Sequence, residues 1–152
     1  MLDAELTMIG PQGPVRGGSG QRDGAAIRVL EVRHPLVSPR DEATGQATGK
    51  RRHAPIAITK DIDRSSPVLA SAWVRNDVLT TWRLDVFGTD QFGRRSSVYA
   101  VELRNAVVVG IVLATPEAAT LPRESVSFAY EVITWTWHQG GISATDQWLA
   151  PS

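Results

Sequence analysis

The chain has 152 residues, no cysteine, and 16 basic and 16 acidic residues, so its formal net charge is zero. A chain of this length is typical of one domain, and we expect residues 1–152 to form a single domain. The balanced charge argues against a general nucleic-acid binder, which needs a basic surplus. The lack of cysteine excludes disulfide bonds, thiol nucleophiles and cysteine-ligated metals.

The N-terminal sequence MLDAELTMIG has neither the basic start nor the apolar run of a secretory signal. The longest apolar run, residues 106–114, has nine residues and contains Gly110. A membrane-spanning helix needs about 18 apolar residues, so we expect no membrane insertion. Export from the cell, if it occurs, is expected to proceed without a cleaved leader.

The first third of the chain predicts short strands. Residues 4–9 form a candidate strand with Leu6 and Met8 on one face, and residues 11–24 are a glycine-rich loop. Residues 26–34 form a second strand, but their apolar alternation slips by one after Val29. Such a slip indicates a β-bulge or a strand that changes its covered face.

A long polar loop occupies residues 37–55 and precedes a short strand over residues 55–59. Loops of this length are usually functional or disordered. The loop contains one dense basic run, KRRH at residues 50–53, together with neighbouring acids. Mixed charge favours a solvated or subunit-contact segment over a nucleic-acid site. The candidate contact residues are Arg40, Asp41, Glu42, Lys50, Arg51 and Arg52.

Residues 65–76 predict one helix, with its body at about residues 66–75. Ser66 can cap its N-terminus, because a hydroxyl accepts a free backbone N–H. Pro67 suits the first helical position, and Asn76 suits the left-handed C-terminal position. The expected apolar face consists of Val68, Leu69, Ala72 and Trp73.

The second half of the chain predicts further strands, over residues 82–87, 98–103, 106–113 and 125–137. Residues 106–113 are apolar on both faces, which favours a central strand or one covered on both sides. The longest strand changes apolar phase at Val132 and Ile133. This change indicates a strand that curls around a small barrel or passes from one sheet to another. The whole pattern predicts an all-β barrel or sandwich with a single helix.

No catalytic constellation is visible. His34, His53 and His138 are isolated in sequence and lack metal-ligand spacing. Asp61 and Asp63 could perform acid–base chemistry, but acids directly before a helix more often complement its dipole. We therefore predict that the protein is not an enzyme and has no catalytic, metal-binding or cofactor-binding residue, and no cofactor.

Three of the five tryptophans lie in the stretch ITWTWHQGGISATDQW, residues 133–148. Trp135 and Trp137 are two apart on a strand and so share a face. Exposed, they could stack on sugar rings or bases. Buried, they would belong to the core or to an interface. We favour core or interface positions for the tryptophans, namely Trp73, Trp82, Trp135, Trp137 and Trp148.

Several segments together resemble one family. GKRRHAPIAITKDIDRSSPVLASAW (residues 49–73) and VSFAYEVITWTWHQGGISATDQW (residues 126–148) resemble hallmark segments of the haemolysin-coregulated proteins, Hcp, the tube subunits of type VI secretion systems. VSPRDEATGQATGKRRH (residues 37–53) is similar to the family's extended loop. The resemblance runs from about residue 26 to the end, although the loop at residues 115–123 is shorter than in many members.

The resemblance implies a two-sheet β-barrel flanked by one helix, which assembles into hexameric rings. Such rings stack into a tube inside a contractile sheath and can carry effectors in their lumen. The implied partners are further copies of the chain, the sheath and spike components, and effector proteins. The subunit would assemble in the cytoplasm and leave through the machine, and the long loop would contact a neighbouring subunit or ring.

Two alternatives stay open at this point. One is a tail-tube protein of a phage or of another contractile injection particle, which shares the fold. The other is a monomeric β-sandwich module that binds carbohydrate through its tryptophans. Oligomeric state and tryptophan exposure discriminate the second alternative from a tube subunit.

Overall fold

The computed structural model describes residues 1–18, 26–118 and 120–148. Within these ranges no helix is both long and apolar enough to span a membrane. The elements are, in chain order, β1 (Ala4–Gly10), β2 (Gly13–Val15), β3 (Ile27–Val29), β4 (Glu31–Arg33), β5 (Leu36–Val37), β6 (Arg52–His53), β7 (Ile56–Asp61), α1 (Ser65–Arg75), β8 (Thr81–Thr89), β9 (Arg95–Arg104), β10 (Val107–Ala114), β11 (Arg123–Ala129), β12 (Val132–Trp137) and β13 (Ile142–Gln147).

Two antiparallel sheets share one core. The larger sheet has the strand order β13-β12-β9-β8-β1-β2, with β3 also paired to β1, and the smaller sheet has the order β10-β11-β7-β4. The predicted all-β fold with one helix is confirmed. Among the described residues the two hydrogen-bonded ladders stay separate, so the sheets are not closed into the barrel that the resemblance implied.

The chain passes between the sheets at two points that the sequence marked by phase slips. Leu30 separates β3 of the larger sheet from β4 of the smaller one. Tyr130 and Glu131 separate β11 of the smaller sheet from β12 of the larger one. For the second slip, a change of sheet was one of two predicted possibilities, and it is correct. For the first slip, the prediction was a β-bulge or a change of covered face, and the structure has a change of sheet there. The prediction of a single strand over residues 125–137 is wrong, because β11 ends at Ala129 and β12 begins only at Val132.

Two loop assignments need correction. The glycine-rich segment 11–24 contains the strand β2, and its part from residue 19 lies outside the described residues. The long loop 37–55 begins and ends in a two-residue ladder, in which Leu36 pairs with His53 and Val37 with Arg52. The two strands of this ladder, β5 and β6, have two residues each and are too short for a periodic pattern to predict them.

The expectation for β10 was wrong. β10 is an edge strand of the smaller sheet, neither central nor covered on both sides. Val109, Val112 and Leu113 are 45%, 63% and 64% exposed. A continuous apolar run indicates that both faces are to be covered, but it does not say whether the covering surface belongs to the same chain.

Helix α1 ends as predicted. Asn76 adopts the left-handed conformation, with φ 53° and ψ 41°. Its backbone N–H points back to the carbonyls of Ala72 and Trp73. An asparagine suits this position because its short polar side chain tolerates positive φ.

The start of α1 differs from the prediction. Arg64 occupies the capping position without a side-chain cap. The carboxylate of Asp63 instead accepts the backbone N–H of Ser65, at 2.8 Å. Ser66 lies inside the first turn, where its hydroxyl is directed towards the smaller sheet. Leu69 and Ala72 are buried, whereas the other two expected apolar-face residues, Val68 and Trp73, are exposed.

A buried ionic cluster joins α1 to the smaller sheet. Lys60 on β7 and Glu124 on β11 pair directly across the two strands and are 0% and 5% exposed. The ammonium group of Lys60 donates to Glu124 and to the hydroxyl of Ser66, at 3.2 Å, and lies 3.1 Å from the carboxylate of Asp63. All three N–H donors of this lysine therefore have an acceptor.

The hydroxyl of Ser66 completes the cluster. It accepts the backbone N–H of Asp63 at 3.0 Å and donates to Glu124 at 2.7 Å. Burial alone would raise the pKa of Asp63, but hydrogen bonds from Ser65 and Lys60 outweigh it and lower the pKa. The carboxylate therefore stays charged at neutral pH and balances the buried ammonium group.

We expect the replacement Lys60→Met to destabilise the fold by about 3–5 kcal/mol, because it leaves buried carboxylates without a counter-charge. Urea unfolding measures the change. Arg123→Met is the matched control, because Arg123 and Asp61 form an ion pair across the same two strands at the surface. The control should cost less than about 1 kcal/mol. Equal costs for the two replacements would contradict the assignment, and adding Glu124→Leu to Lys60→Met should recover part of the loss.

Candidate subunit-contact surface

The segment between β5 and β6, residues 38–51, is named here the extended loop. It leaves and returns at one point, since β5 and β6 pair with each other. Within it the chain folds back on itself. Arg40 and Ala47 form an antiparallel bridge, and the N–H of Thr48 donates to the carbonyl of Pro39 at 3.0 Å. The extended loop is therefore an ordered hairpin that is almost wholly exposed.

The tip of the extended loop is organised by Asp41. Its carboxylate accepts the backbone N–H groups of Ala43 and Thr44, at 2.8 and 2.9 Å. These bonds lower the pKa of Asp41. Gly45 follows with φ 72°, a conformation that favours glycine, and its N–H donates to the Asp41 carbonyl at 2.8 Å. The tip therefore has a defined shape before it meets any partner.

The base of the extended loop is fastened to β13. The guanidinium group of Arg51 donates two hydrogen bonds to the carboxylate of Asp146, at 2.7 and 2.6 Å. The ring of His53 adds a third contact, with Nε2 2.7 Å from the same carboxylate. Chiefly because of Arg51, the pKa of Asp146 lies well below its usual range. Paired contacts of this planar kind also fix orientation.

Below this contact lies a small aromatic and histidine cluster. The side chain of His53 is 2% exposed, and its Nδ1 lies 2.5 Å from the hydroxyl of Tyr130. The same hydroxyl lies 2.9 Å from Nε2 of His34. The ring of Trp148 packs edge-on against Tyr130, at 4.9 Å between centroids. His34, Arg51, His53, Tyr130 and Asp146 are together named the loop anchor.

The loop anchor was not found from the sequence. His34 and His53 were noted only as isolated histidines, and Tyr130 and Asp146 not at all. The bonds that join His53 to Tyr130 and Asp146 span 77 and 93 residues. No short-range sequence pattern predicts contacts between residues that lie so far apart in the chain. Among the described residues, no group of three or more histidines and acids is placed to hold a metal ion.

The structure divides the six predicted contact residues into three groups. Arg51 belongs to the loop anchor, and Arg40 and Asp41 shape the hairpin. Glu42, Lys50 and Arg52 are exposed side chains on the loop or its base. The extended loop therefore presents both signs of charge on a fixed hairpin.

A second exposed surface is apolar and lies on α1 and β10. The helix packs against β10. On α1, Val68, Trp73 and Val74 are 45%, 52% and 70% exposed. With Val109, Val112 and Leu113 of the edge strand they form six exposed apolar side chains on neighbouring elements. We name this the α1–β10 apolar surface. Single exposed apolar residues are ordinary, but six on two elements that pack together indicate a candidate interaction site.

The face of the larger sheet that points away from the core is polar. One row across five strands consists of Thr7, Arg83, Glu102, Thr134 and Thr145. Arg83 lies near the middle of this row and binds Glu102 at 2.8 Å and Asp85 at 3.1 Å. The opposite face carries core residues such as Leu6 and Leu84, as strand alternation requires. We name the outer face the polar sheet face.

The five tryptophans do not form one platform. Trp82 is 1% exposed and meets Phe128 edge-on between the sheets, at 5.5 Å. Trp135 and Trp148 pack against the core from partly buried positions. Trp73 and Trp137 are 52% and 43% exposed on different elements. A role for the exposed pair in subunit contacts stays a prediction.

Comparisons with known proteins all indicate one family. The family described as "Type VI secretion system effector, Hcp" matches residues 8–137. A Pseudomonas aeruginosa protein named "Major exported protein" is 34% identical over 131 residues, which is 82% of this chain and 76% of the relative.

Three solved structures share the fold over nearly the whole chain. A crystal structure of an Hcp protein has a TM-score of 0.87 at 25% identity and covers 99% of this chain and 100% of its own. A mutant form of Hcp1 from the E. coli pathovar EAEC 042 has a TM-score of 0.86 at 29% identity, with 97% and 99% covered. Secreted protein Hcp3 from Pseudomonas aeruginosa has a TM-score of 0.80 at 26% identity, with 99% and 100% covered. The chain belongs to the Hcp family of type VI secretion proteins.

Proposed function

We propose that the protein is a structural subunit of the inner tube of a type VI secretion system. Residues 1–152 act as one tube domain, which forms hexameric rings that stack and carry effectors in their lumen. The observation that supports this most is the α1–β10 apolar surface, which a single subunit leaves exposed at a sheet edge. The role is mechanical, and we assign no residue to catalysis.

The composition of β10 fits a strand that another subunit covers. Exposed edge strands in monomers usually carry charges or proline, which prevent pairing with other chains. The sequence of β10, VVVGIVLA, has neither. Val112 and Leu113 are among its most exposed residues. Burial of apolar area contributes about 25 cal/mol per Å² removed from water, so covering this edge favours association.

The extended loop supplies a second, different patch. Closed rings are built from heterologous contacts, in which two unlike surfaces meet head to tail. The exposed residues Arg40, Asp41, Glu42, Lys50 and Arg52 offer both charges to a neighbour. Because the hairpin and its anchor are already ordered, less conformational entropy is lost when it docks.

The polar sheet face suits the wall of a lumen. Its threonines keep it wettable, and Arg83 is already paired with acids of the same subunit. A wall of this kind holds a cargo protein without trapping it. The further partners in this proposal are effector proteins and the sheath and spike components. In this proposal the subunit assembles in the cytoplasm and leaves the cell through the secretion machine.

The first test of this proposal is the mass in solution. Light scattering after size exclusion should give about 99 kDa, six times the subunit mass of 16.5 kDa, and negative-stain images of the peak should show rings. A monomer at high protein concentration would contradict spontaneous ring formation.

We expect Val112→Lys to abolish or strongly weaken the ring while leaving the subunit folded. Val112 is 63% exposed, so its replacement disturbs no core packing. Phe92→Lys is the matched control, since Phe92 is 74% exposed in the turn between β8 and β9. Size exclusion and circular dichroism of both variants separate lost assembly from lost folding. Intact rings in the Val112 variant would remove β10 from the interface.

Deleting residues 44–50 should impair ring formation or stacking, because it removes the returning half of the hairpin. Thr48 and the bridge partner Ala47 are lost, while Arg51 and His53 stay in place to hold the base. The melting temperature of the isolated subunit should stay close to that of the parent chain, since the loop contributes little buried surface. Assembly identical to the parent chain would show that the loop makes no contact.

A further inference from the structure

The core side of the larger sheet is covered at one edge of the sheet and bare at the other. Residues that pair across β1, β8, β9, β12 and β13 form rows on this side. One row consists of Ala4, Val86, Tyr99, Trp137 and Ile142. The exposed fraction is 1% at Ala4 but 43% at Trp137 and 68% at Ile142. The cover on the core side therefore ends before it reaches β12 and β13.

The neighbouring row shows the same change. Its first three members, Leu6, Leu84 and Val101, are buried. Its last two, Trp135 on β12 and Ala144 on β13, are partly buried and exposed, respectively. Both rows lie on the same side of the sheet, because side chains two residues apart on a strand point the same way. The bare area thus spans both strands on the side of the sheet that is otherwise core.

The base of the extended loop borders this bare area. Leu36 and Val37 of β5 line one cleft together with Trp135. They are 47% and 56% exposed, so the cleft does not bury them. We name as the β12–β13 apolar surface the five apolar side chains on and beside the bare edge, Leu36, Val37, Trp135, Trp137 and Ile142. This surface is continuous with the segment that the proposed ring places against a neighbouring subunit.

The chain therefore exposes two unlike apolar surfaces. The α1–β10 apolar surface lies on a helix and an edge strand of the smaller sheet, whereas most of the β12–β13 apolar surface lies on the core side of the larger sheet. Both are exposed in one subunit, so neither covers the other within the chain. Contact between two α1–β10 surfaces would be isologous and would yield a two-fold dimer. A closed ring instead needs an unlike surface on the neighbour.

Charges of opposite sign flank the two surfaces. Arg52 lines the cleft beside Leu36 and Val37, and Glu117 follows β10 in the chain. Both charged side chains are exposed, and among the described residues neither forms an ion pair. β10 itself carries no charge. Opposite charges at the rim of an interface favour one orientation of two partners, and here they favour the unlike pairing.

We propose that the β12–β13 apolar surface of one subunit receives the α1–β10 apolar surface of a second copy of the chain. This inference rests on the proposed ring, because it names the two surfaces that meet there. Trp137 and Ile142 of one subunit then face Val112 of the next, and Arg52 approaches Glu117. Each subunit of a closed ring uses both surfaces, so both are removed from water all round the ring.

Disulfide cross-linking tests the pairing directly, because the chain has no cysteine of its own. In the double variant Val112→Cys, Ile142→Cys, mild oxidation should join neighbouring subunits into a covalent ladder that ends at the hexamer. A disulfide forms only where two Cα atoms come within about 7 Å, so the ladder reports direct contact. Denaturing gels without reductant show the ladder, and reductant should remove it.

The matched control moves the second cysteine to the other side of the same strand. Ser143 follows Ile142 on β13, is exposed, and lies on the polar sheet face. The double variant Val112→Cys, Ser143→Cys should therefore lose the ladder. Each variant with one cysteine should run as a monomer on the gel. A dimer from Ile142→Cys alone would show that like surfaces meet, and would overturn the pairing.

A charge substitution gives a second measurement that does not depend on cysteine geometry. Ile142→Lys should abolish the ring or reduce it to a minor species on size exclusion, whereas Ser143→Lys should leave it intact. Both residues are exposed on an edge strand, so both variants should keep the circular dichroism of the parent chain.

The outcomes separate the pairing from the ring itself. Rings that give no ladder and tolerate Ile142→Lys would refute the pairing but support the tube subunit, and the β12–β13 apolar surface would then be open to another partner, such as an effector. Monomers of the parent chain at high protein concentration would refute both the ring and the pairing. A ladder with Ile142→Cys that is lost with Ser143→Cys would support both.

Discussion

The ammonium group of Lys60 connects the smaller sheet to the start of α1. It joins β7 to β11 through Glu124 and joins both strands to the start of α1 through Asp63 and Ser66. The same Asp63 carboxylate accepts the N–H of Gly18, after β2, at 3.1 Å. Burying charges is costly unless each is fully hydrogen-bonded, and Lys60 and Glu124 are both buried, so this arrangement restricts how the helix lies on the sheet.

The place where the chain changes sheet between β11 and β12 also supports the extended loop. Tyr130 ends the smaller sheet's β11, and its ring and hydroxyl meet Trp148, His34 and His53. Tyr130, which lies where the chain leaves the smaller sheet, therefore also contacts the histidines at the base of the extended loop. Phe128, two residues before this crossing, packs edge-on against Trp82 in the core between the sheets. Tyr130 therefore connects the core to the base of the extended loop.

Residue patterns over short stretches of the chain predicted much of the fold. Pro67 and Asn76 located the helix, and the phase slip at Val132 and Ile133 indicated the second change of sheet. Signals that depend on distant partners failed. Serine is a residue type typical of a helix cap, but the hydroxyl of Ser66 instead accepts from Lys60 and donates to Glu124. The apolar run of β10 predicted a central or doubly covered strand, yet β10 is an edge strand, and none of the described residues covers Val112 and Leu113. Arg51 and Asp146, 95 residues apart, have no pattern that connects them.

The entry and exit of the extended loop lie side by side, where Leu36 pairs with His53. Segments inserted between such neighbours add only a slowly growing closure entropy and leave the core undisturbed. The hairpin can therefore lengthen, shorten or change sequence in related proteins while β5, β6 and the loop anchor stay constant. In the proposed ring, such changes would alter the contact that the hairpin offers to a neighbouring subunit without altering the fold of either subunit.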